Sequence, residues 1–312
     1  MLSRLEGTVE TQLAGKPMTP LDPLHLALMA TLQKRGDVFY SPGPSAPLSS
    51  KIPYCLTIHD LMFLDVPGEV SSLKQFYFNT VIRKLCKRAA IVFTVSHFTR
   101  QRLEDWLGRI DIVVAPNGVS SAFKVKNNQQ AMAGDYFLYV GNRRPHKNID
   151  TLLKGFASFV HHSADNKRIL LKLTGRPSDT ITGSILALKI ENHVEFLGAN
   201  ISETDLASIY TGARALIIPS LEEGFGLPAL EAMSCGTPVI CSDRGGLKEV
   251  VGDAGLIIDP CRHESITQAM TDLIGSNELR DQLVKKGFLQ TAEFNWDVSA
   301  SIIQRALNDV RP

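Results

Sequence analysis

From residue 215 to residue 236 the chain reads Ala215-Leu-Ile-Ile-Pro-Ser-Leu-Glu-Glu-Gly-Phe-Gly-Leu-Pro-Ala-Leu-Glu-Ala-Met-Ser-Cys-Gly236. An apolar run of strand length comes first, and a loop with glycines follows it. Pro228 is predicted as the first residue of a helix, where its missing N–H costs no hydrogen bond, and Gly236 suits the position just past the helix end. A strand, a glycine loop and a helix in this order predict one unit of an α/β fold.

The same alternation runs outward from this stretch through the second part of the chain. Apolar runs are separated by segments with helical periodicity, such as residues 149–160 and 202–210. The runs lack polar alternation, which is typical of parallel strands covered on both faces, so we expect a doubly wound domain. Its strands are predicted to begin at Tyr136, Ile169, Val194, Ala215, Pro238 and Gly255.

A weaker copy of this pattern occupies the first part of the chain. The polar stretch beginning at Lys124 is the predicted linker, so the expected domains are residues 1–124 and 125–296. Residues 1–35 carry a helical pattern near 24–34 but no strand pattern, and we therefore expect this domain to be short at its start. Strands are predicted around 38–40, 54–58, 90–95 and 111–114, and helices around 70–88 and 97–107.

Composition disfavours several classes of protein. The 312 residues carry 33 Lys and Arg against 32 Asp and Glu, which disfavours a nucleic-acid binder held by counterion release. No apolar run approaches the ~20 residues of a membrane span, and the first residues lack the apolar core of a signal peptide. The five cysteines form no Cys-x-x-Cys pair. Reduced thiols in a cytoplasmic protein are therefore expected, rather than disulfides or zinc.

The loop and helix start within residues 219–236 are a candidate ligand site. The backbone N–H groups of Gly226 and Leu227 would face an anion, which the helix dipole favours. Glu223 in the loop and Glu231 in the first turn of the helix would repel a phosphate, but they suit a ligand that also carries sugar hydroxyls. The alternative is that both carboxylates only complement the helix dipole, and the spacing alone does not decide between the two.

Several motifs in order resemble glycosyltransferase family 4, whose members are retaining transferases of the two-domain GT-B fold. Glu223 and Glu231 form its Glu-x7-Glu motif, and the resemblance runs from about Asp37 to the carboxyl end. It implies two Rossmann-like α/β domains facing a cleft, the amino-terminal one truncated, with residues 297–312 as a closing helix that packs back on it. The other motifs are Thr57–Asp60, Val95–Thr99, Ala115–Val119, Tyr139–Asn148 and Ser242–Glu249.

The resemblance implies a role for each matching position in binding a nucleotide sugar. Glu223 would bind hydroxyls of the donor sugar, and Glu231 would bind the ribose. Lys147 would neutralise the departing diphosphate, where negative charge develops as the glycosidic bond breaks. An isolated lysine in a loop is usually only solvated, so the motif carries this assignment. The backbone expected to meet the sugar and the diphosphate belongs to Phe225, Gly226 and Leu227.

Asn142 stands where the family often has an arginine. Arg143, Arg144 or His146 would supply the second positive contact to the donor, and Arg143 is the favoured choice. The run of residues 141–148 is similar to a bacterial mannosyltransferase subgroup that uses GDP-mannose. GDP-mannose is therefore the expected donor, with Asn142 and Arg143 among its contacts.

Four further positions are candidate donor contacts. His59 follows a predicted strand and matches the family histidine that meets the donor sugar, a structural histidine being the alternative. Ser96 is predicted either to face the interdomain cleft or to cap the helix that begins near His97. Gly198 and Asn200 lie where the family contacts the base, and they do not reveal which base.

No Asp-x-Asp motif occurs, so the resemblance implies a retaining, front-face transferase that needs no metal or other cofactor. A glycan or lipid-linked acceptor is expected at the cytoplasmic face of the membrane. The basic run Arg83–Arg88, which follows Phe76–Phe78, suits either an anionic membrane surface or a solvated helix face over a core. Two rival functions are a sugar-nucleotide-binding partner without transfer activity and a GT-B-like epimerase. The epimerase is disfavoured because the motifs display no acid/base side chains for it.

Overall fold

The computed structural model describes residues 2–7, 21–31, 33, 36–65, 70–109, 111–124, 134–163 and 165–311. The chain divides into two compact units. The first contains Met1–Gly118 and Asn295–Pro312, and the second contains Val119–Phe294. The division therefore falls six residues before the predicted boundary at 124/125, and the predicted linker residues 125–130 lie outside the described residues.

The described residues contain ten strands and thirteen α-helices. The strands are β1 Phe39–Ser41, β2 Tyr54–Thr57, β3 Ile91–Thr94, β4 Ile112–Val114, β5 Tyr136–Tyr139, β6 Leu170–Leu173, β7 Val194–Phe196, β8 Ala215–Ile218, β9 Val239–Ser242 and β10 Gly255–Ile258. The helices are α1 Asp22–Ala30, α2 Met62–Asp65, α3 Ser72–Tyr77, α4 Arg83–Arg88, α5 His97–Leu107, α6 Ile149–His162, α7 Asp179–Ala187, α8 Glu203–Gly212, α9 Leu227–Ser234, α10 Leu247–Val251, α11 His263–Gly275, α12 Asn277–Ala292 and α13 Trp296–Val310.

The second unit is built on a six-stranded sheet in the order β10-β9-β8-β5-β6-β7, with every pairing parallel. The strands of each half run outward from the centre, which is the Rossmann order. The order reverses between β5 and β8, and ligands of open α/β sheets bind beyond the carboxyl ends of strands at such a switch point. The predicted doubly wound parallel sheet is confirmed.

The core of the second unit is aromatic and aliphatic. Phe137 on β5 packs edge-on against Phe159 of α6, with ring centroids 5.6 Å apart. Gly155 lets α6 lie directly against α11, because a Cβ at this position would stand 2.9 Å from the carbonyl oxygen of His263. This packing fixes the sheet that carries the loops described below.

The first unit contains a four-stranded parallel sheet in the order β1-β2-β3-β4. Helix α13, from the carboxyl end of the chain, packs on this sheet through Ala300 and Ile303, which share a buried cluster with Cys55 and Phe93. The hydroxyl of Ser299 donates to the carbonyl oxygen of Pro116 and ties α13 to the segment after β4.

The predicted helix 70–88 consists of three segments, because a π-helical turn at Phe78–Ile82 separates α3 from α4. Of the aromatic residues before the basic run, Phe78 is buried in the core and only Phe76 is largely exposed, at 64%. The pattern of residues 24–34 corresponds to α1, and residues 32, 34 and 35 lie outside the described residues. Across the described part of the chain, every helix is too short or too polar to cross a bilayer.

Candidate active site

Lys147 and Glu223 meet at the switch point of the second sheet. Lys147 ends a 3₁₀ turn that follows β5, and Glu223 lies in the loop after the adjacent strand β8. The Lys147 Nζ donates to Glu223 Oε1 at 2.6 Å, and the two side chains are only 15% and 9% exposed. Three side chains are predicted to be catalytic: His59, Lys147 and Glu223. The structure brings together the last two as an ion pair.

Asn148 joins the two loops that carry this pair. Its backbone is left-handed, with φ 55°, a conformation that asparagine tolerates better than most residues. Its side-chain amide donates to the carbonyl oxygens of Pro219, at 3.0 Å, and Pro260, at 2.7 Å. The loops after β5 and β8 therefore hold each other in place, and Lys147 is held opposite Glu223.

The backbone of Glu223 is fixed by the loop after β9. Its carbonyl oxygen accepts from the N–H of Gly246 at 2.8 Å. Gly245, with φ 70°, approaches so closely that a Cβ there would lie 2.1 Å from the same oxygen. Gly245 and Gly246 lie within the motif Ser242–Glu249, and no role at the site was predicted for them. Their signal was the Gly-Gly step after a strand, which permits such a close approach.

The start of α9 has the geometry predicted for an anion site. The helix begins at Leu227, so Pro228 is its second residue and not its first. Gly226 precedes it with φ 108°, and a Cβ there would lie 2.5 Å from Leu247 Cδ1. Among the described residues no side chain caps this helix. The helix start is therefore suited to an external anion.

Glu231 is the fifth residue of α9, at the start of its second turn and one position later than predicted, because the helix begins at Leu227. Its Oε2 accepts from the hydroxyl of Tyr210 at 2.9 Å. Burial raises the pKa of Glu231 from 4.5 to about 7, the hydrogen bond from Tyr210 lowers it, and the negative charge of Glu203 raises it further. A carboxyl group of this kind changes protonation near neutral pH.

Replacing Glu231 with glutamine is expected to remove a pH dependence of stability. Because its pKa is about 7 in the fold and near 4.5 when unfolded, the folded protein binds more protons between these values. Its contribution to the free energy of unfolding is therefore fullest below pH ~4.5, falls as pH rises to ~7, and is constant above that, a loss of about 3 kcal/mol at most.

Urea unfolding of both proteins from pH 5 to pH 8 measures this difference. Glu231→Gln keeps an acceptor for the Tyr210 hydroxyl, so it should gain stability over the natural protein as pH rises. Parallel pH profiles for the two proteins would contradict the expectation.

Arg143 contacts residues at the carboxyl ends of β6 and β7. Its guanidinium lies over the ring of Phe196, 5.0 Å from the centroid, and donates to the carbonyl oxygen of Thr174 at 3.0 Å. These partners belong to the β6 and β7 side of the sheet, whereas α9 follows β8 on the other side of β5. A contact between Arg143 and the donor stays a prediction, and in this structure the side chain supports the loops after β6 and β7.

The remaining predicted donor contacts of the second unit lie in these and neighbouring loops. Asn142 is exposed, and its carbonyl oxygen accepts from the Tyr139 hydroxyl at 2.5 Å. Gly198, with φ 79°, accepts from the N–H of Gly175 at 2.6 Å. Asn200 is exposed. The side chain of Phe225 is buried edge-on against Phe294, as expected if its backbone is the part that meets a ligand.

His59 and Ser96 both lie in the first unit. His59 is exposed after β2, and its Nε2 lies 2.8 Å from the carbonyl oxygen of Pro42. Ser96 is buried, caps α5 by accepting from the N–H of Thr99 at 3.1 Å, and donates to the hydroxyl of Thr99. The capping role of Ser96 is thus observed, and donor contacts by either residue stay predictions.

Comparison with known proteins agrees with this fold. Residues 121–290 match the family described as glycosyl transferases group 1, and residues 15–123 match glycosyltransferase family 4. O-antigen chain mannosyltransferase B of Escherichia coli is 28% identical over 82% of this chain and 70% of its own length. O-antigen chain mannosyltransferase RfbU of Salmonella typhimurium is 29% identical over 70% of this chain and 60% of its own length.

The fold has solved counterparts as well. Sucrose-phosphate synthase from Thermosynechococcus elongatus matches with a TM-score of 0.75 and 22% identity, covering 98% of this chain and 82% of that one. Two units, each built on a parallel sheet, and this structural match give the two-domain GT-B fold. Because the first family match spans more than half of the chain, the protein belongs to glycosyl transferases group 1, and the predicted membership of family 4 is confirmed.

Proposed function

We propose that the protein is a retaining, metal-independent mannosyltransferase that moves mannose from GDP-mannose to a lipid-linked oligosaccharide or a growing polysaccharide. The observation that carries this proposal is the pairing of Lys147 with Glu223 at the switch point. One site then holds a cation for a diphosphate, a carboxylate for sugar hydroxyls, and the start of α9 for an anion. A nucleotide sugar carries both the diphosphate anion and the sugar hydroxyls that these three groups would bind.

The proposed reaction follows from these groups. The bond between the sugar C1 and the diphosphate oxygen breaks, and the electron pair stays on the diphosphate, where Lys147 and the start of α9 stabilise the charge. The acceptor hydroxyl forms the new bond to C1 on the same face, and its proton passes to the departing diphosphate. Glu223 would hold the sugar through hydroxyls that donate to its carboxylate. These positive groups take the place that a divalent cation fills in other transferases.

Mannose is supported by the relatives and not by the geometry of the site. Two relatives are named as O-antigen chain mannosyltransferases, and this chain spans 70% and 60% of their lengths. Their names also support a polysaccharide or lipid-linked acceptor. Gly198 and Asn200 lie where the base is expected, but neither residue selects guanine over uracil.

A peripheral contact with an anionic membrane surface is part of this proposal. Two large apolar side chains on α3, Leu73 and Phe76, are 77% and 64% exposed. Lys84 and Lys87 are exposed on α4, farther along the same helical segment. Apolar side chains followed by lysines suit the boundary between lipid tails and anionic headgroups.

The proposal is tested by measuring release of nucleoside diphosphate from a panel of GDP- and UDP-sugars in the presence of EDTA. Release of GDP from GDP-mannose, and from no other donor, is the expected result. Adding vesicles of anionic phospholipid with a membrane lipid extract should raise the rate and sediment the protein. Neutral vesicles serve as the matched control for the charge of the surface.

Each part of the proposal would be contradicted by a different result. Release from a UDP-sugar would reject GDP-mannose, and activity lost in EDTA but restored by Mg²⁺ would reject metal independence. Donor binding without release, even with the lipid extract, would favour the rival in which the protein only binds sugar nucleotides. Recovery of an isomeric sugar nucleotide would indicate an epimerase.

A further inference from the structure

Ser220 lies two residues beyond β8 and is fully buried. Its hydroxyl donates to Glu223 Oε1 at 2.6 Å. Its carbonyl oxygen accepts from the buried hydroxyl of Ser242, at the end of β9, at 2.6 Å. Because Ser220 is held from β9 and contacts Glu223, its hydroxyl is a fixed donor and not a mobile surface group.

Both side-chain donors to Glu223 reach the same oxygen. Lys147 Nζ and Ser220 Oγ each lie 2.6 Å from Oε1, whereas within the described residues Oε2 accepts no hydrogen bond. Oε2 is not fully buried, so solvent or a ligand reaches it. The carboxylate is therefore held by one oxygen and presents the other.

The two donors differ in what a bound donor substrate would do to them. Lys147 has a flexible side chain with three N–H groups, and a diphosphate at the start of α9 would compete for it. The Ser220 hydroxyl has a single hydrogen to donate, and its backbone is held by Ser242, so it stays bonded to Glu223. The backbone of Glu223 is already fixed by Gly245 and Gly246, so the remaining freedom is rotation of its side chain.

We propose that Ser220 is a positioning residue, which keeps the carboxylate of Glu223 turned so that Oε2 meets a hydroxyl of the donor sugar while Lys147 turns to the diphosphate. This inference rests on the proposed function, since it assumes a nucleotide sugar at the site. It predicts that Ser220 affects recognition of the sugar and leaves recognition of the nucleoside diphosphate unchanged.

The test compares Ser220→Ala with the natural protein, using GDP-mannose, or the donor that the panel selects, and the matching nucleoside diphosphate. A hydrogen bond to a charged group supports an expected fall of about tenfold in kcat/KM. The Kd of the nucleoside diphosphate should change less than about twofold, while the Kd of the nucleotide sugar rises. Ser220→Cys, which keeps a weak donor of similar shape, should lose less.

Two controls separate positioning from a general loss of structure. Ser299→Ala removes another buried hydroxyl, in the first unit, and should leave both Kd values unchanged. In a Glu223→Ala background, adding Ser220→Ala should not weaken binding of the nucleotide sugar further, because Ser220 then has no carboxylate to hold. Equal weakening of diphosphate and nucleotide-sugar binding would overturn the proposal.

A crystal structure of Ser220→Ala with the nucleoside diphosphate bound, so that Lys147 is turned to the phosphates, gives a readout that does not depend on turnover. The Glu223 carboxylate should leave its present orientation, and an unchanged carboxylate would overturn the positioning role. If the natural protein binds the nucleotide sugar without transferring it, the proposed function is overturned instead. The comparison of Kd values would then still test the positioning role of Ser220.

Discussion

Replacing Glu223 with alanine is expected to lower the rate of sugar transfer about 10³-fold, because a site built to hydrogen-bond a substrate group loses that much when the bond is removed. The same change should leave the affinity for GDP at least as high as in the natural protein. In the structure the Lys147 ammonium group is paired with Glu223, with Nζ 2.6 Å from Oε1. Removing the carboxylate leaves that ammonium group available for the phosphates of GDP. Opposite effects on transfer and on GDP binding are therefore the signature of this residue.

Single-turnover rates and calorimetric titration with GDP measure the two quantities. Glu222→Ala is the matched control, since it removes the same charge one residue earlier, and it should change the rate by less than about threefold. Loss of GDP binding in Glu223→Ala would show that the residue maintains the loop and not the sugar contact. A rate near that of the natural protein would remove Glu223 from the proposed reaction.

Replacing Lys147 with methionine is expected to lower the transfer rate about 10²- to 10³-fold and to weaken binding of GDP and GDP-mannose together, because the charge on the diphosphate then loses its cation. A second effect follows from burial. The side chain of Glu223 is only 9% exposed, so its carboxylate would be left without its cation, at a cost of about 3 kcal/mol in stability.

The double variant Lys147→Met with Glu223→Gln separates these effects. It should recover most of the stability in urea unfolding, because no unpaired charge stays buried, while transfer stays lost. Lys154→Met, at an exposed position on α6, is the matched control for removal of a lysine. A single Lys147→Met variant that loses stability but transfers sugar at a nearly natural rate would show that Lys147 acts only by supporting the fold.

The strands and helices of this protein were largely predictable because local patterns specify them. The apolar run at Ala215–Ile218 and the helical pattern at His97–Leu107 match the observed elements in both bounds. The π-helical turn within residues 72–88 was not predictable, since the apolar positions on either side fit one continuous helix. Glu231 was predicted one helical position too early, because Pro228 was expected to be the first helical residue and the helix begins at Leu227.

The sequence by itself determined the parallel α/β fold, the family, and the loops that carry the site, because periodicity, glycine and proline positions, and ordered motifs are written locally. Only the tertiary structure decided which side chains meet. Lys147 and Glu223 are 76 residues apart, and they pair because the sheet order places β5 beside β8. The same sheet order brings Thr174 and Phe196 to Arg143, and the turn of backbone after β8 lets Ser220 reach Glu223. Such contacts depend on the folded backbone, which local patterns do not specify.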